Sequence, residues 1–160
     1  MPKIISIKKK INNFNKTITV DADKSLSIRW ALLASQATGK SRAYNLLKSE
    51  DVSFTLGCLK KLGIQISQKK KYCEIIGNGI GGFKFRKNII LDAGNSGTLS
   101  RLIPALLLKS PYKIKLIGDT SLSKRDFSRI IKPLEKFGAS FFPKKKATLP
   151  IFIKGSENIR

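Results

Sequence analysis

A chain of 160 residues with 41 % hydrophobic and 26 % charged side chains has room for one ordinary domain or two small ones, and its composition excludes wholesale disorder or a collagen-like repeat. Histidine is absent, which rules out a Ser-His-Asp triad, imidazole-built zinc sites and any imidazole acid or base; Cys58 and Cys73, without CxxC spacing, offer neither a disulfide framework nor a thiolate metal site and fit a reducing cytoplasm. Thirty-two basic against ten acidic residues give +22, which calls for anionic partners: nucleic acid, an anionic membrane surface, or small phosphorylated and carboxylated substrates.

Along the chain, a short strand at 18–20 leads into an amphipathic helix with Leu26, Trp30, Leu33, Ala34 and Ala37 on its predicted core face, closed by Gly39. A strand at 43–47 follows. The second helix opens at Ser49-Glu50-Asp51, carries Val52, Leu56, Leu59 and Leu62 on one face and stops at Gly63; strands at 64–67 and 72–76 complete a βαβαββ unit.

A second unit follows about seventy residues later, with a strand at 89–91, a helix carrying Leu99, Leu102, Ile103, Leu106 and Leu107, and a strand at 113–117. Its second helix bears Phe127, Ile130, Ile131, Leu134 and Phe137, ends at Gly138, and precedes strands at 139–142 and 149–153. Pro133 is expected to kink that helix or to mark a start three or four residues later, because it lacks the amide hydrogen. The units match in detail: Asp21-Ala22-Asp23-Lys24-Ser25 is answered by Asp92-Ala93-Gly94-Asn95-Ser96, Leu62-Gly63 by Phe137-Gly138, and Ile76-Gly77 by Lys154-Gly155. Such units bury their helices by stacking on copies of themselves, and two copies followed by an abrupt stop at Arg160 read as a piece of a longer polypeptide. The glycine-rich 77–82 segment reads as a connector. A Rossmann fingerprint needs a helix directly after it, whereas Phe83-Lys84-Phe85-Arg86 reads as extended.

The lysine runs at 8–10, 69–71 and 144–146 are scattered along the chain, as solvated turns would be. The longest apolar stretch, 102–108, is far short of the ~20 residues of a spanning helix, and the start has no signal-peptide apolar region. More informative are three junctions. Lys24 and Ser25 open the first helix with Arg29 a turn further in; Gly94-Asn95-Ser96-Gly97-Thr98 opens the third, followed by Arg101; Gly118-Asp119-Thr120 leads through Ser123-Lys124-Arg125 to the fourth. Helix starts present free amides and a positive dipole end, and an arginine fork grips carboxylate or phosphate through two bonds. The first two junctions read singly are also compatible with plain helix capping, by Ser25 at the first and with glycine present only for the turn at the second. Equivalent ends of repeated units point the same way, so together they predict one cleft that binds anions. No carboxylate has a clear acid or base role: Glu50, Asp51 and Asp126 read as first-turn dipole partners and Asp23 as a cap, leaving half of a catalytic site outside the chain.

These residues carry a family resemblance. Asp23-Lys24-Ser25-Leu26-Ser27-Ile28-Arg29-Trp30-Ala31-Leu32-Leu33, Leu91-Asp92-Ala93-Gly94-Asn95-Ser96-Gly97-Thr98 and Gly118-Asp119-Thr120-Ser121-Leu122-Ser123-Lys124-Arg125, with Pro133-Leu134 and Gly138-Ala139, resemble the 5-enolpyruvylshikimate-3-phosphate synthase family in order and spacing. The resemblance implies an inside-out α/β barrel built from βαβαββ repeats. It also implies transfer of the enolpyruvyl group of phosphoenolpyruvate to the 5-hydroxyl of shikimate 3-phosphate, on the route to chorismate and aromatic amino acids. By motif, Lys24 contacts both substrates, Ser25 and Arg29 hold shikimate 3-phosphate, Asn95 and Gly97 line the phosphoenolpyruvate pocket, and Arg125 grips phosphoenolpyruvate. No cofactor or metal takes part, the acid and base groups come from the missing C-terminal half, and the chain alone is expected to be inactive. Residues 1–17 then belong to the first strand region of a split domain, and 18–160 to a partial repeat domain with units at 18–77 and 89–155 and a connector at 78–88. The expected setting is cytoplasmic and monomeric at full length, without membrane or nucleic-acid partners. Two rivals are a UDP-N-acetylglucosamine enolpyruvyltransferase, which wants a reactive cysteine on a glycine-rich loop, and a lysine-rich nucleic-acid-binding module, which accounts for the charge alone.

Overall fold

The computed structural model describes residues 20–144 and 146–156, together with Ser6, Asn15 and Ile18. The predicted first-strand region at 1–17 therefore lies almost wholly outside the described residues. The elements in chain order are α1 (Lys24–Gln36), β1 (Thr38–Tyr44), α2 (Glu50–Lys61), β2 (Gln65–Gln68), β3 (Tyr72–Asn78), β4 (Ile90–Asp92), α3 (Gly97–Leu106), β5 (Ile114–Ile117), α4 (Thr120–Ser123), α5 (Ser128–Lys136), β6 (Ser140–Phe142) and β7 (Ile151–Lys154).

The strands form two sheets. The first has the order β1-β3-β2 with antiparallel pairs throughout; the second has the order β4-β5-β7-β6, with β4 parallel to β5 across α3 and the rest antiparallel. On β3, Cys73 and Ile75 are buried and alternate with half-buried Glu74 and Ile76; on β5, Ile114 and Leu116 alternate with Lys115 and Ile117. Helices α1 and α2 cover the inner face of the first sheet and reach the second unit through α3 and β4. The interior is helical and the sheets lie outside, an inside-out α/β arrangement built from two units. Part of the lysine excess coats those outer faces: the Lys113 ammonium sits 4.7 Å and 4.6 Å from the Phe142 and Phe152 ring centres.

The repeat is visible at matched joints. Gly63 (φ 85°) and Gly138 (φ 97°) both sit just past a helix in the left-handed region. Around each, the same pair of bonds closes the helix end: Gly63 and Ile64 N–H donate to the Lys60 and Leu59 carbonyls, Gly138 and Ala139 N–H to those of Glu135 and Leu134. Likewise Gly77 and Gly155 press on the ends of the equivalent helices. A Cβ on Gly77 would lie 2.2 Å and 2.3 Å from the Ala37 and Ala34 carbonyl oxygens, and one on Gly155 2.3 Å from that of Leu108. Strand and helix can approach this closely only over glycine.

Five expectations are corrected. Ile18 and Val20 belong to no strand and are exposed, Thr19 lies outside the described residues, and β1 begins at Thr38 directly after α1 and ends at Tyr44, instead of running over 43–47. The buried face of α1 is Ser27, Ile28, Ala31, Leu32, Ala34 and Ser35, while Leu26 and Leu33 are 66 % and 70 % exposed. The two serines misled the periodicity: each hydroxyl donates to a carbonyl inside the helix, Ser27 to Asp23 and Ser35 to Leu32, both at 2.6 Å, so they enter the core satisfied. The expected fourth helix is two, the single turn α4 and then α5. Pro133 neither delays α5, which starts five residues earlier at Ser128, nor meets the core, since it lies on the exposed side.

Candidate anion-binding cleft

Lys24 is the first residue of α1, fixed there by Asp23, whose carboxylate accepts the Leu26 N–H at 2.6 Å. Asp23 is the cap; Ser25, considered for that role, lies inside the first turn, half-buried. On α2, Ser49 is the cap and accepts from Val52, which places Asp51 in the first turn. From there Asp51 Oδ2 meets Lys24 Nζ at 3.0 Å, with the carboxylate far less exposed than the ammonium.

The turn after β4 is tied to the turn after β5. Asp92 Oδ1 accepts the Gly94 N–H at 2.8 Å, the Gly94 carbonyl accepts the Asp119 N–H at 2.8 Å, and Ser96 caps α3 through Leu99 N–H. Gly94 takes a positive φ of 53°, and a Cβ there would run into the Phe54 ring at 2.3 Å, so this glycine serves packing and not ligand access. Gly97 is different. A Cβ on Gly97 would lie 3.0 Å from both Arg101 Nη1 and Arg125 Nη1, so the bare backbone is where two guanidinium forks converge. Arg101 is held from behind, its guanidinium carbon 5.4 Å from the Phe127 ring centre and Nη2 donating to the Asp126 carbonyl.

Arg125 reaches the same place by an unexpected route. It follows the C-cap of α4, its N–H donating to the Leu122 carbonyl, and precedes α5 by three residues, so no helix start positions it. Its Nη2 donates to Asn95 Oδ1 at 3.0 Å, while Asn95 Nδ2 donates to Asp119 Oδ2 at 2.6 Å. Asp119 also caps α4 through Leu122 N–H at 2.7 Å. That backbone bond, then the Asn95 amide, hold the Asp119 carboxyl below the usual carboxylate range.

A cavity of about 610 Å³ gathers Lys24, Arg29, Asn95, Gly97 and Arg125 from three separated segments, with Asp51, Thr98, Arg101 and Leu102 completing its wall. Ser25 is not on that wall. Four cationic side chains face one carboxylate among the described residues, a balance that suits one polyanion or two small anions. Arg101 was legible in outline, since it lies four residues after Gly97 and therefore on the same helix face. Asp51 was not, because an acidic residue in a helix's first turn has an ordinary dipole role.

A larger hollow of about 1270 Å³ lies beside α2, lined by Leu46, Leu47, Val52 and Leu56 together with Lys48, Lys61 and Lys69; among the described residues no arginine lines it. Cys58 and Cys73 border it, yet burial pushes the Cys58 thiol up to about 12 and the Cys73 thiol upward as well. Neither stands on a glycine-rich loop, so the cysteine-dependent rival finds no nucleophile among the described residues. No helix among them is long and apolar enough to cross a membrane.

A model of the family described as EPSP synthase (3-phosphoshikimate 1-carboxyvinyltransferase) matches residues 8–160. The 3-phosphoshikimate 1-carboxyvinyltransferase of Leuconostoc mesenteroides is 38 % identical over 148 residues, covering 92 % of this chain and 34 % of that protein; the one from Streptococcus mutans is 37 % identical over 145 residues, covering 90 % and 34 %. The solved EPSP synthase from Acinetobacter baumannii superposes with a TM-score of 0.80 at 34 % identity, over 89 % of this chain and 33 % of its own. The chain thus spans about a third of the length of the relatives it matches. It belongs to the EPSP synthase (3-phosphoshikimate 1-carboxyvinyltransferase) family.

Proposed function

We propose that this chain supplies the anion-holding half of a carboxyvinyl-transfer site that acts on shikimate 3-phosphate and phosphoenolpyruvate. In that reaction the 5-hydroxyl oxygen of shikimate 3-phosphate bonds to the enolpyruvyl carbon, losing its proton while the neighbouring methylene gains one; the resulting methyl then gives up a proton as the bond to the phosphate oxygen breaks, restoring the double bond and releasing phosphate. Both substrates are polyanions, and the observation that carries the reading is the convergence of Lys24, Arg29, Arg101 and Arg125 on one cavity. Preorganised cations and a bare glycine backbone can hold such groups without reorganising when charge shifts during reaction.

In this reading Lys24 touches both substrates, Arg29 and Ser25 hold shikimate 3-phosphate, and Asn95, Gly97 and Arg125 hold phosphoenolpyruvate. Ser25 shares the first turn of α1 with Lys24 but is not on the cavity wall. Acid and base groups, further arginines and closure over the substrates come from polypeptide beyond these residues, and neither metal nor organic cofactor is required. Units at 18–77 and 89–155 form part of one domain, residues 1–17 belong to a second, and the whole enzyme works in the cytoplasm as a monomer without a nucleic-acid partner.

Calorimetric titration of the chain tests the reading. Shikimate 3-phosphate is expected to bind saturably, more tightly than inorganic phosphate, and Arg29→Ala to weaken it by about tenfold. Equal weak binding of every anion, duplex DNA included, would contradict it.

A further inference from the structure

We propose that Asp119 is a positioning residue for Arg125: by accepting from the Asn95 amide it turns the Asn95 oxygen toward the guanidinium and so aims the fork at Gly97. The inference rests on the assignment of Arg125 to anion binding. Its footing is a chain of hydrogen bonds with a single polarity. A carboxylate only accepts, so Asp119 can engage only Nδ2 of Asn95; a guanidinium only donates, so Arg125 can engage only Oδ1. The observed contacts, 2.6 Å and 3.0 Å, are those two. With Nη2 occupied by Asn95, Nη1 is the nitrogen left beside Gly97. Asp119 itself cannot swing, since Oδ1 is held by Leu122 N–H and its own N–H by the Gly94 carbonyl. The turn after β5 therefore fixes a side chain on the turn after β4, which in turn fixes the arginine.

The polarity separates this role from capping. Asn caps a helix as well as Asp does, so Asp119→Asn keeps the Leu122 bond and the fold. What it removes is the obligation on Asn95: an asparagine at 119 can offer its own NH2 to Asn95 Oδ1, and the flipped Asn95 then presents NH2 to a guanidinium that cannot accept it. Exchanging the two groups restores the order. In the double variant Asp119→Asn with Asn95→Asp, the amide at 119 donates to the carboxylate at 95, which accepts from Arg125.

The test uses the whole chain, phosphoenolpyruvate as probe, and NMR of the Asn95 amide and Arg125 guanidinium groups in the ligand-free state. Asp119→Asn is expected to keep its Tm within about 2 °C, to lose the distinct Arg125 Nη resonances, and to bind phosphoenolpyruvate about tenfold more weakly. The double variant is expected to recover those resonances and to bind better than Asn95→Asp alone. Asp119→Asn that retains both the resonances and the affinity would overturn the proposal, as would a double variant no better than additive. If the unaltered chain binds no phosphoenolpyruvate, the functional reading fails, and the ligand-free resonances of the variants still decide whether Asp119 orients Arg125.

Discussion

Lys24 Nζ and Asp51 Oδ2 stand 3.0 Å apart on the wall of the cleft, joining the first turns of α1 and α2. The only carboxylate on the lining among the described residues thus occupies the cation that a substrate anion would seek. An ion pair this exposed is worth about 0.2–1 kcal/mol, so an anion with two or more charges can displace it. Asp51→Asn is expected to tighten binding of shikimate 3-phosphate by up to about fivefold. Lys24→Met is expected to weaken it by about tenfold or more. Calorimetric dissociation constants for the two variants check both directions.

Gly97→Ala should separate binding from stability. The added methyl faces two guanidinium ends, which can swing aside, and Gly97 is the first residue of α3 with no positive φ. Stability is expected to hold or to rise by up to about 1 kcal/mol, from the helix preference of alanine over glycine. Binding of phosphoenolpyruvate is expected to fall about tenfold as the two forks part. Paired urea unfolding and titration read the two effects.

Gly77→Ala and Gly155→Ala meet backbone oxygens instead, and these cannot step aside without moving α1 or α3. Each is expected to destabilise by about 3 kcal/mol or more, at or beyond the upper end of ordinary overpacking. Gly57→Ala is the control: that glycine lies mid-helix in α2 with nothing within 4 Å of the new Cβ, and the change is expected to stabilise by about 1 kcal/mol. Urea midpoints at constant m-value distinguish the three.

The repeat explains why so much of the fold could be read from sequence. Gly63 and Gly138, Gly77 and Gly155 recur because each unit makes the same helix stop and the same helix–strand contact. The α1 face was misread because two self-satisfied serines carry no polar signature once buried, whereas Leu26 and Leu33, apolar and correctly spaced, face outward. At the site, the cations at helix starts were legible as local motifs. Arg125 was assigned to the cleft for the wrong local reason, since its geometry depends on Asn95, thirty residues earlier, and no spacing rule reaches across that distance. Asp51 reaches the wall through its pair with Lys24 on the neighbouring helix, which no spacing rule anticipates, whereas Arg101 follows from its place four residues after Gly97 on α3.

Stability should fall on acidification. Glu74 is held below the usual carboxylate range first by its bond to Arg42, at 2.7 Å, and Asp119 and Asp126 are held down by N–H and O–H donors. A group with a lowered folded pKa stabilises fully above its unfolded value and loses that contribution as pH falls through the folded one. The unfolded chain therefore binds more protons below about pH 4.5, and urea midpoints are expected to be level from pH 7 to 5 and to drop toward pH 3. Arg42→Met should flatten a small part of that drop, because solvent screens the pair.

Both cysteines are expected to resist alkylation in the folded protein. Cys58, with its thiol near 12 and donating to the Asp92 carbonyl at 3.1 Å, has almost no thiolate at pH 8. Mass spectrometry after iodoacetamide treatment is expected to show two labels in urea and far slower labelling without it.

A titration of isotope-labelled chain with shikimate 3-phosphate and then phosphoenolpyruvate, followed by backbone NMR at physiological salt, tests the central claim most directly. Saturable shifts confined to the surroundings of Lys24, Arg29, Asn95, Gly97 and Arg125 are the predicted result. Weak, unsaturable shifts spread over Lys69, Lys70, Lys71 and the outer sheet lysines would mean that the cleft does not select these anions and that charge alone attracts them.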